Sequence, residues 1–451
     1  MKHIRIGVGS GGCAYERLEP AVDLIKHGNL DYLVFECLSE RTIAEAMAEK
    51  LDNPEKGYNA MLEIRMRKML RLAVENHVRI ISNMGGANTP AAVRAIKQIA
   101  GEAGLKGLKI GMVLGDDITD RVNEFMDCSL CDSPGRLSDL KNILSANVYF
   151  GSDGIKEALD DGADLVITGR VVDPALFVGP ICHEFGFTND DPHRMGQAIL
   201  LGHLLECCAQ ITGGYYVDPG LKDLPDLDRL GFPIAEMDET GDFIITKLEG
   251  TGGAVNTDIC KEQLLYEIGD PACYVTPDGE ADFTGVRFEE LKKDVVKVTG
   301  AVIRGVPSAY KVNIGYSDCY AGTAEISYGG LNSLNRARVV ADAIRKRWKL
   351  IGVEPLESRI DFIGYNSLYG EKIASLMSDG RCPEVRLRAA VRTATRDEAL
   401  LLNHETQCLY INGAAGGAGI TASVSRVISV NNIMIPRDSV DCRVRFEEVN
   451  E

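Results

Sequence analysis

The chain has 451 residues, 45% of them hydrophobic, which is enough for two or three domains with full cores and excludes a disordered protein. Its 49 basic and 66 acidic residues give a formal net charge of -17, a field that repels phosphate backbones and anionic membrane surfaces, so neither nucleic acid nor a membrane is an expected partner. No apolar run reaches the roughly 20 residues of a membrane helix, and the amino terminus opens on a strand pattern without a signal peptide, so a cytoplasmic protein is expected.

In chain order, apolar runs alternate with helical patterns, and each run ends in small and polar residues. IRIGVG gives way to Ser10, Gly11 and Gly12, with a helix opening near Tyr15. DYLVFE gives way to Cys37, Leu38, Ser39 and Glu40, and VRIIS to Asn83, Gly85, Gly86 and Asn88. LKIGMVLG ends at Asp116 and Asp117, and ADLVIT at Gly169, Arg170 and Asp173. Continuous apolar runs separated by helices read as parallel strands buried on both faces, so the fold class is α/β, a Rossmann-like parallel-sheet domain over residues 1–215. Beyond it the turn signals DPG, Pro225-Asp226 and LGFP crowd together, and strand-like alternation follows. A strand-rich α+β domain with glycine-rich loops is therefore expected over 216–451.

Ligands of open parallel sheets bind outside the carboxyl ends of the strands, which makes these turns the candidate site. Gly11 and Gly12 permit close backbone approach or positive φ, although glycines at 7, 9, 11 and 12 match neither a dinucleotide fingerprint nor a P-loop. Arg170 is a candidate clamp for a substrate carboxylate, with Asp116, Asp117 or Asp173 as base or as ligand of a divalent metal. Asn83 and Asn88 offer neutral hydrogen bonds. Structural roles compete: Asp173 precedes Pro174 as a helix cap would, Asp116 and Asp117 suit a turn, and Arg170 has Asp173 within reach.

Farther along, Lys247 and the turn Gly250, Thr251, Gly252 and Gly253 precede a helical pattern, a strand-to-helix nest suited to an anion or to a plain domain-crossing loop. Glu236 and Glu262 are weaker carboxylate candidates. NRARVVADAIRKRWKLIG reads as an amphipathic helix packed on a second sheet, and the chain closes as a hairpin with Asn431 and Asn432 at its turn. Thirteen cysteines without regular spacing fit reduced thiols; Cys128 and Cys131 form a single CxxC with no second half of a metal site, and the adjacent Cys182 and His183 point apart on a helix.

Taken together, GGCAYERLEPAVDLI, LDYLVFECLSERTIA, ISNMGGANTPAAV, ADLVITGRVVDPAL, ITKLEGTGGAV and EQLLYEIGDP give the chain a nearly end-to-end resemblance to the acyclic terpene utilisation family, whose reaction is unknown. The resemblance implies catabolism of branched acyl compounds, with CoA as part of the substrate. It also implies a small ferredoxin-fold partner, which for a chain stopping at Glu451 is a separate subunit, and hence a homo- or hetero-oligomer.

A hydratase or lyase acting at carbon-oxygen or carbon-carbon bonds of an anionic, branched carboxylic acid or its CoA thioester is the first expectation. The alternative is a non-catalytic ligand-binding or assembly subunit. A nicotinamide-dependent oxidoreductase is disfavoured by the missing fingerprint. The enzyme reading requires Arg170, Asp173 and Asp116 or Asn83 to converge on one pocket facing Gly250–Gly253.

Overall fold

The apolar runs of the first 170 residues build a parallel sheet because each is covered on both faces; β2 (Tyr32–Phe35) and β6 (Leu165–Thr168) are buried along their whole length. The structure, a computed structural model, describes residues 2–12, 16–378 and 382–449. Strand β1 (His3–Ser10) is followed by helix α1 (Glu19–His27), and β2 by α2 (Glu40–Asp52) and α3 (Leu62–Glu75). Then come β3 (Arg79–Ser82), α4 (Thr89–Glu102), β4 (Lys109–Leu114), an outlying β5 (Ile143–Val148), α5 (Asp153–Asp160) and β6. The parallel strands lie in the order β1-β2-β3-β6-β4. Helices α1, α3 and α4 pack in one series against this sheet, and α5, α6 (Ala175–Phe185) and α7 (Pro192–Leu205) in another.

Ser39 caps α2 by accepting from the Thr42 N–H, which fixes Glu40 at the first helical position, at the carboxyl end of β2. Helix α7 is buried on every side from Met195 to Leu205, so His203 within it has only protein partners. Tyr15, the expected opening of the first helix, lies outside the described residues.

The sheet does not end at residue 215. β7 (Pro233–Asp238) pairs antiparallel with β1, and β8 (Phe243–Lys247) with β7; strands Val295–Thr299 and Arg287–Lys292 extend that side, and Arg443–Glu448 joins β4 at the other. The turn-rich stretch after residue 215 is a loop that carries the chain to the far side of its own sheet, a composition it shares with a domain linker. Accordingly the compact units are Met1–Tyr316 with Val430–Glu451, and Ser317–Ser429, a division different from 1–215 and 216–451.

The second unit holds strands Tyr320–Gly329, Glu357–Ile363, Glu384–Thr393 and Gly417–Arg426 in one antiparallel sheet. Their spatial order is second, third, first, fourth, with helices Ser333–Leu350 and Arg396–Asn412 as the crossovers, which is the split βαβ, ferredoxin-like arrangement. The basic amphipathic helix packs there as expected, burying Val340, Ile344 and Trp348. No terminal hairpin turns at Asn431 and Asn432. Both lie inside strand Ser429–Pro436, buried, where Asn432 Nδ2 donates to Asp132 (2.7 Å); their turn propensity gives way to side-chain hydrogen bonding.

Candidate functional site

A cavity of about 640 Å³ lies at the carboxyl ends of β1 and β2, entirely within the first unit. Gly11, Gly12 and Glu16 follow β1, Glu36 and Glu40 follow β2, and Asp173 precedes α6. Glu206 and Cys207 follow α7, and Tyr266 and Glu267 follow α8 (Thr257–Leu265). Six carboxyl side chains line this space, and among its described lining residues there is no Lys, Arg or His.

Backbone N–H groups of the first strand-end turn point at carboxylates. Gly12 N donates to Glu36 Oε2 (2.6 Å), while Glu36 Oε1 accepts from Leu38 N (2.8 Å) and Asn83 Nδ2 (3.0 Å). Glu16 accepts from the Ser10 hydroxyl (2.6 Å) and Gly11 N (2.9 Å), and Ser10 Oγ in turn accepts from the buried Arg65 (3.0 Å). Gly11 is required because a Cβ there would run into the Glu206 carbonyl. Burial and the nearby Asp173 push the Glu36 carboxyl up to about 8, against the N–H donors of Leu38 and Asn83.

The Arg170 turn is the centre of a second network. Its guanidinium is 2% exposed and donates through Nη1 to the Leu38 carbonyl (2.6 Å) and Asp173 Oδ1 (2.9 Å), with its central carbon 4.1 Å from the centre of the Tyr149 ring. The Tyr149 hydroxyl donates to Glu40 Oε1 (2.6 Å), which also accepts from Lys311 (3.3 Å). Burial opposes ionisation of Glu40, but Arg170, Tyr149 and Lys311 outweigh it and hold the carboxyl at about 2. Asp173, a third exposed and facing the cavity, is raised by its enclosure in the wall against the pull of Arg170. Asp116 sits behind the turn: its Oδ2 accepts from Arg170 N (2.9 Å) and Asn147 (3.1 Å), burial raises it to about 6, and Gly169 is needed because a Cβ there would meet its carboxylate at 2.6 Å.

Also in the lining, Glu206, 8% exposed, shares a 3.1 Å contact through Oε1 with His203 Nδ1, while its Oε2 has no hydrogen-bond partner among the described residues. Burial raises this carboxyl to about 7, against the pull of His203.

The structure therefore joins Arg170, Asp173, Asp116 and Asn83 in one assembly, but only Asp173 faces the cavity, and Gly250–Gly253 does not border it. Asp173 does not cap α6, whose first turn receives no side-chain hydrogen bond. Asn83 positions Glu36. Asn88 caps α4 and ties down the carbonyls of Pro54 and Lys56, and Gly85 clears the Thr168 carbonyl, while Gly86 takes a positive φ of 55°. Asp117 pairs with Lys50 (3.2 Å) and caps Thr119. Lys247 donates to the Thr251 carbonyl (2.8 Å), so that loop is closed on itself; Gly250 and Thr251 border a separate cavity of about 300 Å³. Gly252 faces the Asp226 carbonyl, and Gly253 takes a φ of 72°.

Glu236 pairs with Arg5, and Glu262 with Lys222, at the surface. His183 bonds Asp160 and Arg79, whereas the Cys182 thiol faces Met195. Every described cysteine is a free thiol, and among the described residues no three His, Cys, Asp or Glu side chains are grouped to hold a metal ion, at Cys128 and Cys131 or elsewhere.

Glu36, Glu40 and Glu206 are the carboxyls to which the strand-end reading gives no role, although it names Glu40 among the turn residues. The first two close and follow the DYLVFE run, and the third stands in ILLGHLLECC, where a His and a Glu three apart interrupt an otherwise apolar helix. A charged residue that interrupts a fully buried segment is the signal that finds it.

Sheet, strand-end turns and carboxyl wall define an α/β protein with an acidic cavity at the position where open parallel sheets hold ligands. The chain belongs to the acyclic terpene utilisation family: residues 4–446 match the family model described as acyclic terpene utilisation family protein AtuA. No curated protein matches it. None of the described helices is long and apolar enough to cross a membrane.

Proposed function

We propose that the cavity performs proton transfer, and that the protein is a carbon-oxygen lyase adding or removing water at a branched, hydroxylated or unsaturated acyl compound. The observation that supports this reading is the pairing on one wall of two carboxyls in different surroundings: Glu36, raised to about 8 by burial and by Asp173, and Asp173, whose charged form Arg170 favours from 2.9 Å. Carboxyls driven apart in this way supply an acid and a base at the same pH. Glu36 and Asp173 oppose each other's ionisation, and Arg170 favours the charge on Asp173, so near neutrality Glu36 keeps the proton.

In the dehydration direction Asp173 takes a proton from the carbon beside the acyl carbonyl. The electron pair forms the double bond, the carbon-oxygen bond breaks, and the Glu36 proton leaves with the hydroxyl as water. Hydration reverses each step.

The same wall alters the expected substrate. A free carboxylate finds no cation among the described lining residues, and Arg170 is already engaged by Asp173, Leu38 and Tyr149. The portion inside the cavity is therefore uncharged, as in the acyl end of a thioester, with the phosphates of CoA outside. The test is mass spectrometry of a panel of branched hydroxy and unsaturated acyl compounds, free and as thioesters. Wild type is expected to shift a thioester by one water and Glu36→Gln to fail. Binding without turnover by wild type would favour the non-catalytic ligand-binding subunit instead.

A further inference from the structure

Four observations converge on the end of α7. The His203 ring is 1% exposed, 5.0 Å from the Tyr274 ring and 5.8 Å from that of Phe283, so its orientation is fixed by packing. Its Nε2 lies 3.1 Å from the Leu264 carbonyl, which only accepts, so Nε2 carries a hydrogen. Its Nδ1 lies 3.1 Å from Glu206 Oε1, a contact that needs one proton, whether imidazolium against carboxylate or neutral imidazole against carboxylic acid. The second oxygen, Oε2, has no partner among the described residues and is shielded from solvent in a side chain that lines the cavity, where an unsatisfied polar atom is costly unless a ligand drawn against the wall meets it.

We infer that His203 and Glu206 form a one-proton dyad in which the Glu206 carboxyl turns its shielded Oε2 to the bound compound and exchanges a proton with it, and His203 is the positioning residue that fixes Glu206 and shares that proton. In the dehydration direction the shared proton passes through Glu206 to the acyl carbonyl oxygen as Asp173 removes the carbon proton, and returns to the dyad as the double bond forms and the hydroxyl leaves with the Glu36 proton, so the dyad ends with the proton it began with and no further reactant is needed. The proton-exchange role rests on the lyase reading; the dyad itself rests on geometry alone.

The groups that face the pair are few. Asp173, from the loop before α6, and Glu267, from the end of α8, oppose ionisation of Glu206, while Cys207 follows it in the chain and Tyr274 faces it from the strand Tyr274–Thr276. Glu206 raises the proton affinity of His203 against the effect of burial. Replacing Glu206 by glutamine removes that support, leaves only the backbone of Leu264 and Gln263 against burial, and therefore lowers it.

The dyad is tested by 15N NMR of the full chain labelled at histidine, with His203 assigned by its loss in His203→Gln. From about pH 5 to 9 the ring is expected to keep Nε2 protonated, and its Nδ1 transition to move in Glu206→Gln. An unprotonated Nε2, or a titration unaffected by Glu206→Gln, overturns the dyad. The exchange role is tested with whichever thioester wild type dehydrates. Glu206→Gln is expected to lose about 10²-fold or more in kcat, His203→Phe to lose less with KM little changed and its pH profile displaced, and His203→Gln to recover part of the rate. Unchanged kcat and pH profile in both Glu206→Gln and His203→Phe overturn that role. Failure of wild type to turn over any thioester overturns the lyase reading and the exchange role with it, while the NMR result decides the dyad separately.

Discussion

The turns after β2 and β6 and the Lys247–Gly253 turn after β8 look alike in sequence, with charged residues beside glycines or at a strand end, yet they differ in where their polar groups point. Lys247 closes onto Thr251 within its own loop, whereas Glu36, Asp173 and Glu206 line a shared cavity, and Glu206 keeps one oxygen without a partner among the described residues. Strand ends of one sheet thus hold two kinds of turn: one in which the charge completes the loop, and one in which the fold holds charges toward a space.

The largest expected effect breaks the cavity side of the comparison. Arg170→Ala leaves Asp173 without its cation and Glu40 with Lys311 alone, and removes a fully engaged buried guanidinium, so urea unfolding is expected to show a loss of about 3–5 kcal/mol. Next, Lys247→Ala is expected to lose about 1–3 kcal/mol by leaving the Thr251 carbonyl without its donor, while ligand affinity at the cavity, followed by calorimetry, stays unchanged. Altered affinity there would remove the distinction between the two turns.

A pH series sharpens the contrast. Glu36 and Glu206 have folded proton affinities raised to about 8 and about 7, so their contribution to stability is complete below the unfolded value near 4.3 and is lost as pH rises through those values. Glu40 acts oppositely: held at about 2, its contribution is present above that unfolded value and lost as pH falls through 2. Chemical denaturation between about pH 5 and 8 is expected to show a decline in wild type that Glu36→Gln flattens, and a profile identical in both would contradict the burial argument. The smallest effect belongs to Asp117→Asn, which loses a partly exposed pair with Lys50 and is expected to change stability by less than about 1 kcal/mol, with activity intact.

The architecture was legible where burial on both faces leaves an apolar run, as in DYLVFE and ADLVIT, and so was the assembly around Arg170, since Gly169 and Asp173 mark a turn with no room for a side chain against Asp116. Its direction was not legible. Whether Arg170 faces a ligand or the Tyr149 ring depends on β5, an outlying strand that places Tyr149 immediately beyond its end. The extent of the first unit was hidden for a related reason: pairing of β7 with β1 joins residues more than 200 positions apart, and local periodicity carries no information about it. The place of Glu206, though not its oddity in an apolar helix, was hidden because nothing nearby in sequence shows that the end of α7 meets the loop of Gly11.

Proton transfer between the carboxyls of this cavity and an uncharged acyl compound is the step on which the proposed chemistry depends. Turnover of a branched hydroxyacyl thioester in 18O-labelled water, comparing wild type with Glu36→Gln and Glu206→Gln, probes it without an intermediary. Label is expected in the recovered hydroxyl for wild type and is expected to be lost in both variants; labelling at the wild-type rate in both, with the fold intact, would contradict carboxyl-mediated proton transfer.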